Sequence, residues 1–575
     1  MTSFRSAAGL ALGLLVAAPV LARAQRAAEL PRKYAGAPTV PAITAADLMT
    51  RLYIFADDSM MGRSVGTAYN LKGTAYIERE VRRMGLEPAG TDGFFQDLPL
   101  FARALDSAST LTVDATTFRV GDFITQTPAR MRPLTSATVI FGGTALDTTN
   151  LLAAEQVKGR VVLFRPLMAP LTNARSFSRS EGFKRYLASL SGAQAVMVVS
   201  PAPISPMAAR NATNLAGARA TVRNDAEVEQ PITILASPAI AEALFGRPLD
   251  SVSKGALGKT LVANVRVLEE RRPGRNVVAI VPGSDARLKG QYIAIGAHND
   301  HIGFDTHPVD HDSIRVFNMI ARTQGADSPS PAALTAEQSA RFRSMVDSLH
   351  ALHGVRRDSI FNGADDDGSG SMSVLEIAES FASAKPKPKR SLLFVWHTGE
   401  EAGLWGSEYF TDHPTVSRDS IVAQLNMDMV GRGAATDVTG ELKEGGLAHG
   451  GPDYLQLVGS RRLSTELGDL IERVNTTSGR GFTFDYSQDA NGHPQNIYCR
   501  SDHYSYARYG IPVAFLTTGG HSDYHQVTDE PQYIDYGRMA RVATLVRDAA
   551  LALSNLDHRI VVDKAKPDPK GACVQ

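Results

Sequence analysis

The second half of the chain alternates short apolar runs with amphipathic helical patterns. The apolar runs, each followed by a polar loop, are GRNVVAIVPG, QYIAIGAHND, RSLLFVWHTGEE, IVAQLNMDMVG and IPVAFLTTGG. Between and after them, segments such as MSVLEIAESFASA and STELGDLIERVN carry apolar residues at helical spacing. Apolar strands that alternate with helices are typical of a buried sheet with helices on both faces. We therefore predict an α/β domain over residues 270–560, with a mixed, largely parallel sheet flanked by helices.

The pattern is different between residues 106 and 269. Short β-rich runs such as STLTV, GRVVLFRPL and AQAVMVVSP are separated by Gly, Pro and Asn, and helical patterns are few. This predicts a separate β-rich domain inserted into the chain. Two helical patterns precede it within residues 25–105, and we predict that this segment is the N-terminal part of the α/β domain. Residues 304–361 interrupt the later alternation and form a second predicted insertion, and residues 561–575 form a polar tail.

The first residues have the pattern of a secretory signal peptide. An Arg precedes the apolar run AAGLALGLLVAAPV, and Ala22 and Ala24 offer a small-residue cleavage site. We predict that residues 1–24 are removed and that the mature protein is secreted or periplasmic. The run is short for a bilayer span and no later run is long and apolar enough, so no stable membrane insertion is expected after signal removal.

Charge and cysteine content narrow the possible partners. Lys and Arg number 60 and Asp and Glu number 60, so the chain of 575 residues has no net charge to attract nucleic acid or an anionic membrane. The two cysteines, Cys499 and Cys573, either pair in an oxidising compartment or remain free thiols. No Cys-rich zinc module is present, so a metal would have to be bound by His, Asp or Glu.

Polar side chains follow each predicted core strand of the α/β domain. In chain order they are His298, Asp300, the acids at 365–367, Glu400, Glu401, Asp428 and the segment HSDYH at 521–525. Such sheets bind ligands at the carboxyl ends of their strands. Two His, two terminal carboxylates and one bridging carboxylate meet the needs of two zinc ions. Of the two adjacent Glu residues, one can bind metal while the other takes a proton from water as general base.

The acidic run in NGADDDGSGS allows two other interpretations. Positions 1, 3, 5, 6 and 12 of an EF-hand calcium loop are matched by Asp365, Asp367, Ser369, Gly370 and Glu376. Acids and glycines before a helix also form a solvated turn with an N-cap. An EF-hand needs a helix that runs directly into the loop, whereas Asn362 and Gly363 break any helix at that point. This disfavours calcium and favours a metal-bridging role for an acid of the run.

Six segments resemble the co-catalytic dizinc aminopeptidases of the bacterial leucyl aminopeptidase type, in the same order. They are GAHNDHIG, NGADDDGSGS, FVWHTGEEAGLWGSEYF, QLNMDMVG, SDHYSYARYGIPVAF and HSDYHQVTDEPQYIDY, and they cover most of residues 270–545. The family also contains glutamate carboxypeptidase, glutaminyl cyclase and the catalytically inactive transferrin receptor. KGRVVLFRPL and GAQAVMVVS resemble the protease-associated domain that secreted members often carry. The resemblance implies a zinc exopeptidase fold, with that domain at 106–269.

The resemblance also implies roles for the matching residues. Those that match zinc ligands are His298, Glu401, Asp428 and His525, with Asp365 as the aspartate that bridges two zinc ions. Asp300 matches the residue that orients the first His, and Glu400 matches the general base. The bond after the bridging aspartate is often cis in the family, which predicts a cis Asp365–Asp366 peptide. The insertion at 304–361 lengthens a connection that is usually short, so the family's substrate preference is not carried over.

We predict an exported, zinc-dependent aminopeptidase that removes N-terminal residues from peptides. Asp502 and His503 are candidate supports of the substrate pocket, or else a capped turn at a helix start. The alternative is a carboxypeptidase of the glutamate carboxypeptidase type, with Arg432 and Arg500 as candidates for binding the substrate carboxylate. A glutaminyl cyclase would use one zinc and usually lacks the inserted domain. An inactive, receptor-like binding protein is disfavoured because every ligand position and the base are present.

Overall fold

The computed structural model describes residues 30–126, 131–167, 180–223, 229–328, 333–433 and 453–575, with short pieces at 442–443, 446–447 and 451. The predicted signal peptide, residues 1–24, lies outside the described residues. Within them, we find no helix that combines the length and the apolar character of a membrane span.

The strands, in chain order, are β1 (Glu87–Pro88), β2 (Phe95–Asp97), β3 (Leu100–Leu105), β4 (Thr110–Val113), β5 (Thr116–Arg119), β6 (Phe123–Gln126), β7 (Ser136–Thr144), β8 (Val161–Arg165), β9 (Ala195–Val199), β10 (Ala220–Val222), β11 (Ile232–Ala236), β12 (Leu257–Asn264), β13 (Val267–Arg272), β14 (Arg275–Val281), β15 (Tyr292–His298), β16 (Phe304–Asp310), β17 (Arg357–Ile360), β18 (Ser391–His397), β19 (Ile421–Met427), β20 (Leu442–Lys443), β21 (Gly446–Leu447), β22 (Tyr454–Val458), β23 (Thr483–Asp485) and β24 (Val513–Thr517). The α-helices are α1 (Ala45–Phe55), α2 (Ala68–Arg83), α3 (Ala154–Val157), α4 (Glu181–Leu190), α5 (Pro206–Thr213), α6 (Pro238–Phe245), α7 (His311–Ala321), α8 (Ala336–His353), α9 (Gly370–Ser383), α10 (Trp405–Asp412), α11 (Thr465–Thr477), α12 (His503–Ala507) and α13 (Tyr536–Asn555).

The main sheet has the strand order β1-β14-β18-β15-β19-β24-β22-β23, and β2 also pairs with β14. Its central strands β18, β15, β19 and β24 are parallel. β14 and β22 join them in antiparallel orientation on the two sides. The sheet is therefore mixed and largely parallel at its centre, which confirms the predicted fold class.

Both faces of the main sheet are buried, as the continuous apolar runs predict. Alternate residues of β18 enter two different hydrophobic cores. Leu392, Phe394 and Trp396 belong to a large core that also contains residues of α1, α2, α9, α11 and α13. Leu393 and Val395 belong to a smaller core with residues of α10 and α12. A strand with both faces covered has no solvent-facing side, and this explains why its sequence does not alternate.

The segment predicted as an inserted β-rich domain forms a sheet of its own. Its strand order is β5-β4-β12-β7-β8-β9-β11-β6, and its apolar residues form a separate core. The strands β3 and β13, where the chain enters and leaves this segment, pair in antiparallel orientation. Few helices were expected here, but α3, α4, α5 and α6 all lie in this segment. They are short, at most 10 residues each, and short helices give a weak periodic signal.

The C-terminal tail is attached to the α/β domain. Cys499 and Cys573 form a disulfide, which settles the pairing that the sequence left open. The Gln575 side chain donates a hydrogen bond to the Gln488 carbonyl oxygen. It also accepts one from the Tyr498 backbone N–H, at 3.1 Å. The predicted polar tail, residues 561–575, is therefore held at its end by both covalent and polar contacts.

A buried ion network joins α1, α2 and α9. The Arg51 side chain is fully buried and forms ion pairs with Glu80, Glu376 and Glu379. Removing one partner of a buried ion pair leaves uncompensated buried charge and costs about 3–5 kcal/mol. We expect Arg51→Ala to lower the free energy of unfolding by this amount, measured by urea denaturation.

The matched control for that prediction is Arg79→Ala. Arg79 lies on α2, its side chain is 65% exposed, and its nearest carboxylate oxygen, on Glu80, is 3.9 Å away. Exposed pairs of this kind contribute about 0–1 kcal/mol. An Arg51→Ala effect no larger than that of the control would show that the network does not stabilise the domain.

Candidate metal centre and substrate pocket

The carboxyl ends of the central parallel strands meet at one edge of the main sheet. β15 ends at His298, and Glu400 and Glu401 follow β18 after a short turn. Asp428 follows β19 directly, and His525 lies in the loop after β24. Neighbouring parallel strands point the same way, so the residues after them lie side by side at the edge where such sheets bind ligands.

Two groups of side chains at this edge share Asp366. The first, called the His298 group, contains His298, Asp366 and Asp428, and the second, called the His525 group, contains His301, Asp366, Glu401 and His525. In each group the potential ligand atoms lie within 4.8 Å of one another. His298 Nε2 is 3.2 Å from Asp366 Oδ1, and His525 Nε2 is 3.1 Å from Asp366 Oδ2. The two oxygens of one carboxylate thus face two different groups, which is the geometry of a bridging ligand.

The other carboxylates complete each group. Asp428 Oδ1 is 3.7 Å from His298 Nε2, and its second oxygen accepts a hydrogen bond from Ser501 Oγ at 2.7 Å. Glu401 Oε2 is 3.0 Å from His525 Nε2. Each group therefore combines imidazole nitrogen with carboxylate oxygen from at least two residues.

The position shared by the two groups is occupied by Asp366 and not by Asp365, which the sequence analysis had placed there. Asp365 is fully buried but lies in neither group. Its Oδ1 accepts a hydrogen bond from the Gly431 backbone N–H at 2.7 Å, and its Oδ2 is 3.3 Å from His521 Nε2. Its own backbone N–H donates to Asp529 Oδ1 at 3.0 Å. These contacts direct the Asp365 carboxylate away from the shared position, which Asp366 occupies.

The third acid of the run, Asp367, fixes the surrounding backbone through hydrogen bonds. Asp367 accepts hydrogen bonds from the backbone N–H groups of His298, Gly370 and Met429, at 3.1, 2.8 and 3.2 Å. The cis peptide bond lies between Asp366 and Asp367, not between Asp365 and Asp366 as predicted. The predicted cis bond is therefore displaced by the same single residue as the predicted bridge.

His301 was missed by the sequence analysis. It is buried, and its Nδ1 lies 2.6 Å from Glu401 Oε1 and 3.8 Å from Asp366 Oδ2. The signal was present in the run HNDH, where a second His follows His298 at a distance of three residues. The sequence analysis considered the residues after β15 only as far as Asp300. His301 is the next residue, and its side chain also faces the site.

The residues present fit a metal. Buried atoms of both groups that have no hydrogen-bond partner among the described residues are His298 Nε2, His301 Nδ1, His301 Nε2, Glu401 Oε1 and His525 Nε2. Buried polar atoms are normally paired, and a cluster without partners needs an explanation. A set of imidazole nitrogens and carboxylate oxygens is the donor set that zinc takes in proteins without cysteine ligands.

Electrostatics around Asp366 keep it ionised. Burial alone would raise the pKa of the Asp366 carboxyl, but the neighbouring imidazoles of His298 and His525 hold this pKa well below its ordinary value. A bridging ligand must be deprotonated, and the surroundings of Asp366 favour that form.

Glu400 lies beside the groups without belonging to either. Its Oε2 is 3.9 Å from His298 Nε2. Asp300 Oδ1 accepts hydrogen bonds from the backbone N–H groups of Gly399 and Glu400, at 2.7 and 3.1 Å. His298 Nδ1 is 3.0 Å from the Asp300 carbonyl oxygen and 3.7 Å from its carboxylate. Asp300 therefore links the position of His298 to that of the Glu400 turn.

A cavity of about 240 Å³ opens beside both groups, with Asp366, Glu400 and Asp428 in its lining. The other polar side chains that line it are Gln456, Gln488, Gln495, Arg500, Ser501, Thr517 and Tyr524. Among the described residues, the Arg500 guanidinium has no hydrogen-bond or ion-pair partner. The cavity therefore combines metal-ligand candidates with hydrogen-bonding groups and one exposed, unpaired positive charge.

The other predicted pocket residues do not line this cavity. Asp502 and His503 are fully buried; Asp502 Oδ2 is 3.4 Å from His397 Nδ1, and the His503 ring stacks on Phe515. Burial lowers the pKa of His503 to about 3, so the ring is neutral. Arg432 is buried, and its Nη2 donates to Asp523 Oδ2 at 2.9 Å. Of the four candidates, Arg500 alone lines the cavity.

The insertion at 304–361 supports the loop that carries His525. Arg315 Nη1 donates to Asp523 Oδ2 at 2.9 Å, and Asn318 Nδ2 donates to Asp523 Oδ1 at 3.0 Å. Ala326 also donates its backbone N–H to the Gly520 carbonyl oxygen at 3.0 Å and lines the cavity. The insertion thus contributes both to the pocket and to the support of one candidate ligand.

Part of the chain is similar to known peptidases. Residues 276–550 match the model of peptidase family M28. Leucine aminopeptidase 1 of Paracoccidioides brasiliensis (strain Pb18) is 31% identical over 192 residues, which is 32% of this chain and 44% of that protein. Leucine aminopeptidase 1 of Coccidioides posadasii (strain C735) is 34% identical over 160 residues, 27% of this chain and 36% of that protein. The chain thus spans less than half the length of these curated relatives.

Solved structures were also compared. The aminopeptidase from Aneurinibacillus sp. strain AM-1 superposes with a TM-score of 0.43 at 16% identity, covering 91% of this chain and 97% of that one. The zinc aminopeptidase BSAP from Bacillus subtilis gives a TM-score of 0.43 at 16% identity, covering 89% and 95%. The segment that matches the model of peptidase family M28 is residues 276–550, a little under half of the chain. This segment contains every residue of the two groups.

Proposed function

We propose that this protein is an exported zinc aminopeptidase that hydrolyses the N-terminal peptide bond of peptides. The observation that carries the proposal is Asp366, whose two oxygens face the His298 group and the His525 group. Two such groups around one carboxylate are suited to two zinc ions. The match to peptidase family M28 and the leucine aminopeptidases among the relatives support a peptidase.

In this proposal, the His298 group would hold one zinc ion and the His525 group the other, and Asp366 belongs to both groups. Zinc in such a site lowers the pKa of a bound water and polarises a carbonyl. Glu400 accepts a proton from the attacking water and passes it to the leaving amine, because it borders the groups without being committed to either. Asp300 fixes the position of Glu400 relative to His298, because it contacts both the turn before Glu400 and the His298 ring. Asp428 and Glu401 complete the ligand sets.

The direct test is an assay of the purified mature chain on aminoacyl-anilides and on N-blocked peptides, together with zinc content by elemental analysis. An aminopeptidase cleaves substrates with a free amine and leaves blocked ones intact, with about two zinc ions per chain. Cleavage of blocked peptides from the C-terminus would replace this proposal with a carboxypeptidase. Absence of both zinc and activity would leave a binding protein on the same scaffold.

A carboxypeptidase is the second candidate because of Arg500. Arg432 pairs with Asp523, but Arg500 lines the cavity with no partner among the described residues. An unpaired guanidinium can bind a substrate carboxylate. On the aminopeptidase proposal, that carboxylate belongs to an acidic side chain of the N-terminal residue. On the carboxypeptidase alternative, it is the C-terminal carboxylate.

Removing Arg500 tests whether its guanidinium binds an acidic side chain of the N-terminal residue. We expect Arg500→Leu to lower kcat/KM for an N-terminal Glu substrate by about 10–100-fold, the cost of losing a hydrogen bond to a charged group. The same variant should leave an N-terminal Leu substrate nearly unchanged. Arg287→Leu is the control, since Arg287 is exposed and lies outside the cavity. An equal loss of kcat/KM for the Glu and Leu substrates would show that Arg500 does not bind the side chain of the N-terminal residue.

A further inference from the structure

The insertion at 304–361 carries a separate cluster of His and Asp side chains. Asp310 directly precedes α7, and Asp312 lies in its first turn. His350 and His353 lie at the end of α8, and residues three apart on a helix share a face. Single ligand-capable atoms of Asp310, Asp312 and His350 lie within 4.8 Å of one another. His353 Nε2 is 3.8 Å from Asp312 Oδ2, and we call these four residues the insertion cluster.

The two carboxylates of the insertion cluster are not equally satisfied. Asp310 Oδ2 is 3.0 Å from His350 Nε2 and accepts a hydrogen bond from Ser313 Oγ at 2.5 Å. The Asp312 side chain is only 6% exposed, and its Oδ2 has no hydrogen-bond partner among the described residues. A buried carboxylate oxygen without a partner is costly, so a positive charge is expected beside Asp312.

A neighbouring group of His, Asp and Glu side chains differs from the insertion cluster because it contacts an arginine. His311, Asp358 and Glu530 also lie close enough to bind a metal, but Arg356 forms ion pairs with both of these carboxylates. That group therefore already contains its cation.

The insertion cluster contains no such cation. In the part of the chain that the structure describes, the only basic side chains within 4.0 Å of the Asp310 and Asp312 carboxylates are those of His311, His350 and His353. Among the described residues, no Lys or Arg side chain therefore pairs with these two carboxylates.

We infer that Asp310, Asp312, His350 and His353 bind a divalent cation, with zinc as the expected ion. Two imidazole nitrogens and two carboxylate oxygens form a set of four that suits tetrahedral zinc. Cobalt or manganese can use the same donors. The ion joins the beginning of α7 to the end of α8. This inference concerns residues outside the cavity and does not depend on the proposed peptidase activity.

The insertion has a physical need for such a link. Its own core contains only three buried apolar residues in the described part, namely Val316, Ile320 and Val346. Small units with so little apolar burial are commonly held together by a metal or a disulfide. The same helix α7 supports the loop that carries His525 through Arg315. An ion in the insertion cluster therefore stabilises an element on which the main centre rests.

The test is a zinc count after equilibrium dialysis against zinc, comparing the full chain with the double variant His350→Ala/His353→Ala. We expect the double variant to bind one ion fewer per chain. The quantity of interest is the number of zinc ions per parent chain minus the number per variant chain. Ions bound at the main centre cancel in this difference. His307→Ala is the matched control, because His307 lies in the same insertion, is 92% exposed and is outside the cluster. The control should bind as many ions as the parent.

A thermal measurement gives a second readout. Zinc that binds only the folded chain raises the melting temperature, and this rise should be smaller in the double variant than in the parent or in His307→Ala. If the double variant does not fold, His353→Gln replaces it, and one zinc site should weaken by about tenfold or more. Equal zinc content and equal zinc affinity in the parent and these variants would overturn the inference.

Discussion

Replacing Asp366 with asparagine should remove both zinc ions of the proposed centre and lower kcat/KM by roughly 10⁴–10⁶-fold, the range seen when a whole catalytic unit is lost. Asp366 is the one residue shared by the His298 group and the His525 group. Asparagine has nearly the same volume but presents one neutral oxygen and an NH₂ group. It therefore cannot bridge two cations. Zinc content and the rate on an aminoacyl-anilide are measured on the same sample.

The matched control is Asp365→Asn. Asp365 is the adjacent aspartate, and its carboxylate accepts a hydrogen bond from the Gly431 backbone N–H rather than facing either group. We expect this variant to keep both zinc ions while losing about 1–3 kcal/mol of stability, the cost of weakening a buried hydrogen bond. Loss of zinc in Asp365→Asn and retention in Asp366→Asn would return the bridging role to Asp365.

Replacing Glu400 with glutamine has the second largest expected effect, and it falls on the rate alone. General bases contribute about 10²–10⁴-fold, so kcat should fall by this factor while zinc content stays at the parental level. The reason is geometric: Glu400 lines the cavity but belongs to neither group. Glutamine keeps the length of the side chain and removes its ability to accept a proton.

Glu401→Gln is the control for that experiment. The two residues are adjacent and chemically identical, but Glu401 belongs to the His525 group. This variant should lose zinc from that group, and its activity should recover in part when zinc is added in excess. If Glu400→Gln lost zinc in the same way, Glu400 would be a ligand and the base would have to be sought elsewhere.

The central part of the fold could be predicted because buried parallel strands have a distinctive sequence. The runs that form β15, β18, β19 and β24 are mostly apolar and do not alternate with polar residues, since both faces of the sheet are covered. The direction of the flanking strands was not predictable. β14 is as apolar as its neighbours but runs antiparallel to β18, and strand direction depends on the connections rather than on the composition of the strand.

The location of the site could be predicted from the sequence. Which of the three adjacent acids faces the two groups could not be predicted. The structure brings His298, Glu401, Asp428 and His525 together, as the strand-end pattern predicts, and their role as ligands stays a prediction. The acids at 365–367 are chemically identical, so their local sequence cannot say which one faces the metal groups. That choice depends on donors that are distant in sequence, such as the Gly431 and Met429 backbone N–H groups.

The pocket residues show the same limit. Asp502 and His503 follow a loop close to the site in sequence, but their side chains point into the protein, where His503 stacks on Phe515. Arg432 and Arg500 have the same charge and both lie in loops. In the structure Arg432 forms an ion pair with Asp523, whereas Arg500 lines the cavity. The sequence around the two arginines does not show this difference.

The most direct test of the central claim is a crystal structure of the zinc-loaded chain with anomalous diffraction data collected on both sides of the zinc absorption edge. The account predicts two anomalous peaks at the edge of the main sheet, with one oxygen of Asp366 bound to each. His298 and Asp428 should bind one ion, and Glu401 and His525 should bind the other. A single peak at this edge, or two peaks bridged by Asp365, would contradict it.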